Sequence, residues 1–228
     1  MKKKFSFLVP CFNSEKDIYN NINKLIKKIK STKVKFEIIF INDGSTDNTL
    51  NQLKKVNLKN IKFSVLSYKK NLGKSAALKK GIKKNNNNII VFYDCDLPYF
   101  KYLKRLIHLL TKENQFVIID RRSIKSKVKK SKLNFYQILR FFISKLVNYI
   151  IANMLFRNFN GDTQSGLKGF YLIKNLKKQK FISQKFFLDA EIMAYYNKNN
   201  IKIISIPINY EIPKISSIKS FDLNNFIY

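Results

Sequence analysis

A doubly wound α/β fold, with a mostly parallel sheet flanked by helices, is predicted by three observations. Short apolar runs alternate with segments of helical spacing from FSFLVP through IIVFYD, the signature of successive βαβ units. The runs are continuous in Ile, Val and Phe instead of alternating with polar residues, which suits strands covered on both faces. No Pro-, Gly- or Ser-rich stretch divides the 228 residues, so one unit is expected over 1–228, with halves at 1–98 and 99–215.

FSFLVP makes the first strand; behind Met1 and three lysines it is too short for a signal-peptide core, so export is not expected. Ile18, Ile22, Leu25, Ile26 and Ile29 recur at helical spacing, and Asn13 and Ser14 mark the helix start, with Asp17 as a capping-box acceptor for Ser14. EIIFIN is the second strand and is followed by a helix near 46–56. KFSVLS and a helix near 74–84 form the next unit, and IIVFYD closes the series. Leu103, Leu106, Ile107 and Leu110 define a further helix, which leaves the sole histidine, His108, as a surface residue with no catalytic partner of its kind.

In open sheets of this type ligands bind beyond the carboxyl ends of the strands. The residues there are unusually polar: PCFNSE, NDGSTD, KKNLGK and DCDLP. Any one of these loops is accounted for by turn and cap chemistry. Several acids at strand ends, in a chain with only 14 Asp and Glu, are better explained by a shared site.

In DCDLP, Asp94 and Asp96 stand two apart around a small residue, and Pro98 is expected to stop the strand. A turn just after the strand lets both carboxylates approach one ion. Hard oxygen ligands suit Mg2+ or Mn2+, held by one or two carboxylates plus substrate phosphates, as a departing nucleoside diphosphate requires. Cys11 and Cys95 are far apart in sequence, without metal-ligand spacing, and read as reduced packing residues.

These motifs, in this order, resemble the inverting family 2 glycosyltransferases of GT-A fold, and among them the polyprenyl- or dolichyl-phosphate glucosyl- and mannosyltransferases. The resemblance rests on VPCFNSE, EIIFINDGSTDNT, NLGKSAALKKGI, DCDLP, and GDTQSGLKGF followed by FFLDAEIMAYYNKNNIKIISIPINY. DTQSG is most similar to the dolichyl-phosphate β-glucosyltransferase branch. The resemblance implies a nucleotide site of Pro10, Phe12, Asn13, Glu15 and Asp43, with Gly73 and Lys74 on a loop that closes over the nucleotide. It implies metal binding by Asp94 and Asp96, a phosphate contact for Arg122, and Asp162, Thr163 and Gln164 facing the sugar and acceptor. Asp189 and Glu191 match an acidic helix of the acceptor half, as either cap or substrate contact. The chain departs from the family where Asp120-Arg121 replaces a glycine-serine turn before Arg122, and where Leu97-Pro98 follows the acidic pair in place of a glutamine.

A phosphate acceptor is already anionic near neutral pH and needs no general base, so positioning and charge stabilisation suffice. A sugar hydroxyl acceptor would need a base, with Asp162 as the candidate.

The 45 Lys and Arg give a formal charge of +31 and direct the chain toward anionic partners, although a bias toward Lys, Asn, Ile and Phe would produce the same count. RRSIKSKVKKSK, a basic loop at 121–132, contributes Arg121, Lys125, Lys127, Lys129 and Lys130 to an acceptor or membrane surface. The apolar helix that follows, at 133–157, contains Arg140 and Lys145, each costing about 2.5–3.5 kcal/mol at a bilayer centre, so it is expected to lie in the interface. Phe135, Leu139, Phe142, Leu146 and Ile150 would form its buried face. Packing of that helix on the domain core is the alternative. The expected setting is therefore cytoplasmic and peripheral on the cytoplasmic face of a membrane, with a membrane-protein partner or a homo-oligomer possible. No nucleic acid is expected as a partner, because no such motif appears and the acidic strand ends would go unexplained.

Overall fold

Residues 3–56, 61–113, 115–128, 135–156, 161–183 and 185–211 are described by the computed structural model. Three parallel strands open the chain: β1 (Lys4–Cys11), β2 (Lys35–Asp43) and β3 (Lys62–Tyr68), linked by α1 (Ile18–Lys30) and α2 (Thr49–Lys55). Next come α3 (Lys74–Lys84), β4 (Ile89–Tyr93), α4 (Leu103–Lys112) and β5 (Phe116–Asp120). The second half adds β6 (Lys127–Val128), α5 (Phe135–Leu155), β7 (Leu167–Tyr171), α6 (Leu188–Lys198), β8 (Ile203–Pro207) and β9 (Asn209–Tyr210).

The main sheet has the order β3-β2-β1-β4-β7-β5-β8, and only β7 runs against its neighbours. The strand alternation divides the core between the two faces. Phe5, Phe7, Val9 and Cys11 of β1 join Val91 and Tyr93 of β4 beneath α1 and α4. Leu8 joins Ile90 and Phe92 beneath α3 and α6 on the other face. Each such side chain contributes about 1.5–3 kcal/mol on burial, which is why both faces of the strands read as continuously apolar.

The helix that the spacing predicts after β1 buries Ile18, Ile22, Leu25, Ile26 and Ile29 as expected. Its start differs. Asp17 is the N-cap residue but its side chain makes no capping bond. The Ser14 hydroxyl turns to the Phe12 carbonyl, and the Ser14 carbonyl accepts from the Asp17 and Ile18 amides instead. The fourth strand ends at Tyr93, ahead of Pro98; a turn with Leu97 at φ 52° ends it.

Strand β7 was not among the sequence expectations, because LKGFY carries a lysine and a glycine inside the run. Lys168 is nonetheless buried, and a Cβ on Gly169 would meet Leu110 Cδ1 at 2.5 Å. The glycine lets α4 lie close on the sheet. Among the described residues no helix is long and apolar enough to cross a membrane.

Candidate active site

The carboxyl ends of β1, β2 and β4 meet at one edge of the sheet, and their loops are bound to one another. The Asn13 amide donates to Ser45 Oγ at 3.0 Å, and Asn13 Oδ1 accepts from the Thr46 amide at 2.9 Å. Glu15 accepts from the Asn48 amide at 2.8 Å, and its own amide donates to Asp47 at 3.1 Å. Asn13, at φ 46°, and Glu15 therefore brace the loop after β1 against the loop after β2, and Phe12 stands exposed beside them. Pro10 precedes this loop near the end of β1. Asp43, buried at the end of β2, accepts from the Leu72 amide at 2.9 Å. That bond fixes the approach to Gly73, whose φ of 91° is open to glycine and strained for other residues.

Lys74 is the first residue of α3, and its ammonium lies 2.6 Å from Asp94 Oδ1 and 3.9 Å from Asp189 Oδ2. Burial opposes its charge, but the two carboxylates more than offset this and hold the ammonium above its ordinary pKa. Asp94 is placed by backbone on both sides: its amide donates to the Gly166 carbonyl at 3.0 Å, and its carbonyl accepts from Leu97 at 3.0 Å. A Cβ on Gly166 would fall 2.4 Å from Asp94 Oδ2, so only glycine permits this approach. Asp96 is solvent-accessible on the same turn, and partial desolvation by the surrounding protein atoms, followed by the negative charge of Asp94, raises its pKa.

Two carboxylates that repel each other, one of them already drawing a lysine ammonium, are the donor set a small hard cation needs. The residues fit Mg2+ or Mn2+ with the remaining positions left to phosphate and water.

Asp162 is completely buried, and Arg121 grips it with two nitrogens: Nε on Oδ2, and Nη2 on Oδ1 at 2.9 Å. Burial alone would raise the Asp162 pKa; the Arg121 guanidinium reverses this and lowers it. Two expectations are corrected by this pair. Arg121 turns inward to a carboxylate instead of standing at an acceptor or membrane surface. Asp162 has both oxygens engaged and a depressed pKa, so it is poorly suited to act as a base.

Arg122 follows a different course, with Nη2 donating to Ser144 Oγ of α5 at 2.6 Å and the guanidinium 5.7 Å from the Phe141 ring centre. Among the described residues its Nε is buried without a hydrogen-bond partner, as is Nε2 of Gln164. Thr163 is held through its amide and hydroxyl, both donating to Asn148 Oδ1 at 2.9 Å. Lys125 and Lys127 are exposed; Lys129 and Lys130 lie outside the described residues.

Against this geometry, residues 6–166 match the family described as "Glycosyl transferase family 2". The chain belongs to glycosyl transferase family 2. A dolichyl-phosphate beta-glucosyltransferase of Trichomonas vaginalis, ALG5A, is 26% identical over 218 residues, which cover 90% of this chain and 65% of that protein. The uncharacterized glycosyltransferase sll0501 of Synechocystis is 32% identical over 97 residues, 42% of this chain and 30% of its own length. The matched region thus spans less than two thirds of these curated relatives. Among solved structures, glucosyl-3-phosphoglycerate synthase from Mycobacterium tuberculosis in complex with UDP superposes with a TM-score of 0.63 at 16% identity, covering 97% of this chain and 75% of that one. The mannosyltransferase PcManGT from Pyrobaculum calidifontis, in complex with GDP-Man and Mn2+, gives 0.63 at 16% identity, covering 94% and 58%. At those identities the structures establish the shared GT-A fold.

Within this family 2 domain the structure also gathers residues that the motifs did not single out. Lys168 of β7 is buried 3.3 Å from Asp189 Oδ2 and donates to the Thr163 carbonyl at 3.0 Å. Burial lowers its pKa, and Asp189 resists that shift. Asp189, at the start of α6, thereby joins Lys74 to Lys168, while Glu191 accepts from the Ser183 amide at 2.9 Å and orders the preceding loop. Cys11 and Cys95, distant in sequence, meet at the same edge. The Cys95 thiol is held below its ordinary pKa by hydrogen bonds from Cys11 and Ser14, the latter at 3.1 Å. Register alone could have exposed this meeting, but no sequence pattern announces which strands are neighbours.

Proposed function

We propose that this domain transfers a hexose from a nucleoside diphosphate sugar, UDP-glucose or GDP-mannose, to a polyprenyl or dolichyl phosphate at a membrane surface, with inversion at the anomeric carbon. The observation that carries the reading is the acidic turn of Asp94 and Asp96 beside Lys74, at the strand ends where a diphosphate would lie. A bound Mg2+ or Mn2+ supplies charge stabilisation for the leaving diphosphate.

The chain's own residues do the rest. Pro10, Phe12, Asn13, Glu15 and Asp43 form the floor and wall for base and ribose, with the two loops already braced together. Gly73 brings backbone close to the diphosphate, and Lys74 shifts its charge from Asp94 toward the phosphates as they arrive. Gln164 and Arg122 offer buried unpaired nitrogens toward the acceptor side. Asp162 orients Arg121 and the Thr163–Gln164 turn, its Oδ1 accepting from the Gln164 amide at 3.0 Å. An acceptor that is already an anion suits a site whose buried Asp162 is committed to an arginine. That commitment favours a phosphate over a sugar hydroxyl as the nucleophile.

The membrane setting is supported by α5. Leu139, Phe142, Leu146, Ile150 and Met154 are all exposed at helical spacing on one side, while Asn148 and Ala152 face inward. With Lys125, Lys127 and Lys145 nearby in sequence and exposed, this face would lie on the anionic cytoplasmic leaflet as a peripheral contact.

The test is a donor-by-acceptor panel with purified protein, nucleotide sugars, Mn2+ and a short polyprenyl phosphate, read by the mass of the lipid product. A hexosyl-phospholipid mass with one donor is expected. Transfer only to a sugar hydroxyl, with polyprenyl phosphate inert, would replace this reading.

A further inference from the structure

We propose that Cys11 and Cys95 form a reversible disulfide on exposure to peroxide, tying the end of β1 to the Asp94–Asp96 turn. The pairing of β1 with β4 keeps a constant register, Phe5 beside Ile89 and Leu8 beside Phe92. Cys11 is the last residue of β1 and Cys95 lies two residues past the end of β4, where the two thiols are hydrogen-bonded to each other. Hydrogen-bonded thiols on adjoining strand ends suit the roughly 4.4–6.8 Å that disulfides span between Cα atoms. Both residues pack on the same face of the sheet, in the cluster beneath α1 and α4. Both are free thiols in this structure.

Access is asymmetric. Cys11 is fully buried, whereas Cys95 is half-buried and lines a cavity of about 250 Å3 with Asn13, Ser14, Glu15 and Asp96. Peroxide therefore meets Cys95 first. The Cys95 sulfur attacks one peroxide oxygen, the O–O bond breaks, and a sulfenic acid and one water result. The Cys11 sulfur then displaces the hydroxyl of that sulfenic acid, its own proton leaving with the hydroxyl as a second water. Two thiols are oxidised by two electrons and one peroxide is reduced to two waters. A dithiol reverses the bond by exchange.

The bond would act on the site through its neighbours. Cys95 stands between Asp94 and Asp96, and Cys11 stands between Pro10 and Phe12. Linking the sulfurs draws Cys95 off Ser14, while Asn21 Nδ2 still holds the Cys95 carbonyl at 2.9 Å. The turn then loses the freedom to set two carboxylates on one ion. This consequence rests on the proposed function; formation of the bond does not.

The experiment treats the purified chain with hydrogen peroxide under native conditions, blocks remaining thiols with N-ethylmaleimide, and maps tryptic peptides without reduction. The expected product joins FSFLVPCFNSEK to NNNNIIVFYDCDLPYFK, two hydrogens lighter than the separate peptides, and dithiothreitol separates them. In the same samples, binding of Mn2+ in the presence of nucleoside diphosphate, read by electron paramagnetic resonance, should be lost on oxidation and restored on reduction. Cys11→Ala and Cys95→Ala should each give no linked peptide, and Cys11→Ala should keep Mn2+ binding after peroxide. Two separately blocked peptides, or a link only between two chains, would overturn the disulfide. A linked protein that binds Mn2+ as well as the reduced one would overturn its effect on the site. Reduced protein that binds no Mn2+ at all would count against the proposed function and leave the disulfide standing.

Discussion

The Lys74 ammonium lies 2.6 Å from the Asp94 carboxylate, so a cation of the chain's own already sits on one member of the acidic pair. Charges alternate from there into the domain: Asp94, Lys74, Asp189 and Lys168, the last donating to the Thr163 carbonyl. The two buried members, Asp189 and Lys168, each have a group of opposite charge beside them, as burial demands. Asp96 has no ion-pair partner among the described residues, and the proposed function gives it the cation to bind.

Lys74→Gln should therefore separate two functions. With the competing ammonium gone, Mn2+ should bind the nucleotide-free protein about tenfold more tightly, ~1.4 kcal/mol. Nucleoside diphosphate, having lost a cation that would meet its phosphates, should bind more weakly. Paramagnetic resonance of Mn2+ and calorimetry of the nucleotide check the two halves. Weaker Mn2+ binding in the variant would remove Lys74 from the role of competitor.

Asp94→Ala and Asp96→Ala should each abolish transfer, but with different structural costs. Asp96 is exposed and carries the repulsion of Asp94, so its removal should leave the melting temperature unchanged or slightly raised. Asp94 neutralises a half-buried lysine, and its loss should cost about 1–3 kcal/mol, the range for a charged hydrogen-bonding group left unpaired. Thermal melts beside product assays distinguish the pair. Transfer that persists in either variant with metal chelated would exclude a metal role for that residue.

The parts of the fold that were legible in the sequence are those where one local rule dominates. Continuous apolar runs gave β1, β2 and β4, and α1 buries the five residues that its spacing selects. The start of α1 was misread because Ser14 satisfies a local carbonyl instead of a helix amide. Strand β7 escaped because its lysine and glycine answer to tertiary partners, Asp189 and Leu110, that lie far off in sequence. Motif resemblance located the strand-end residues but not their pairings. Asp162 and Arg121 are 41 residues apart, and nothing in either neighbourhood announces that one will neutralise the other.

The Asp162–Arg121 pair should make the domain acid-sensitive. Because the folded-state pKa of Asp162 is lowered, its contribution is present above the unfolded value, about 3.9, and is lost as pH falls through the folded value below that. Urea midpoints should drop as pH falls below about 4, as the unfolded and then the folded carboxylate protonates. Arg121→Ala, which strands a buried carboxylate, should destabilise at neutral pH by about 3–5 kcal/mol. In that variant the Arg122 charge and the Gln164 amide alone remain to oppose burial, so the drop in midpoint on the acid side should be smaller than in the parent protein. Parallel midpoint-against-pH curves for the two proteins would show that Asp162 is not the group responsible.

On α5 the exposed apolar row offers a test of membrane contact that leaves the fold intact. Phe142 is 61% exposed, Leu146 59% and Met154 79%, so replacing them disturbs little internal packing. Phe142→Glu with Leu146→Glu should weaken binding to anionic liposomes, since each side chain that enters the interface is worth about 1.5–3 kcal/mol. Nucleotide binding should be unchanged, because the site edge at β1, β2 and β4 does not involve that row. Lys125→Glu with Lys127→Glu should weaken the same binding by roughly 1 kcal/mol per charge removed, with the difference fading as salt shortens the Debye length. Sedimentation with vesicles of phosphatidylserine and phosphatidylcholine reads both effects. If the glutamate pair on α5 left vesicle binding intact while the lysine pair abolished it, the contact would be electrostatic alone and the helix would not enter the interface.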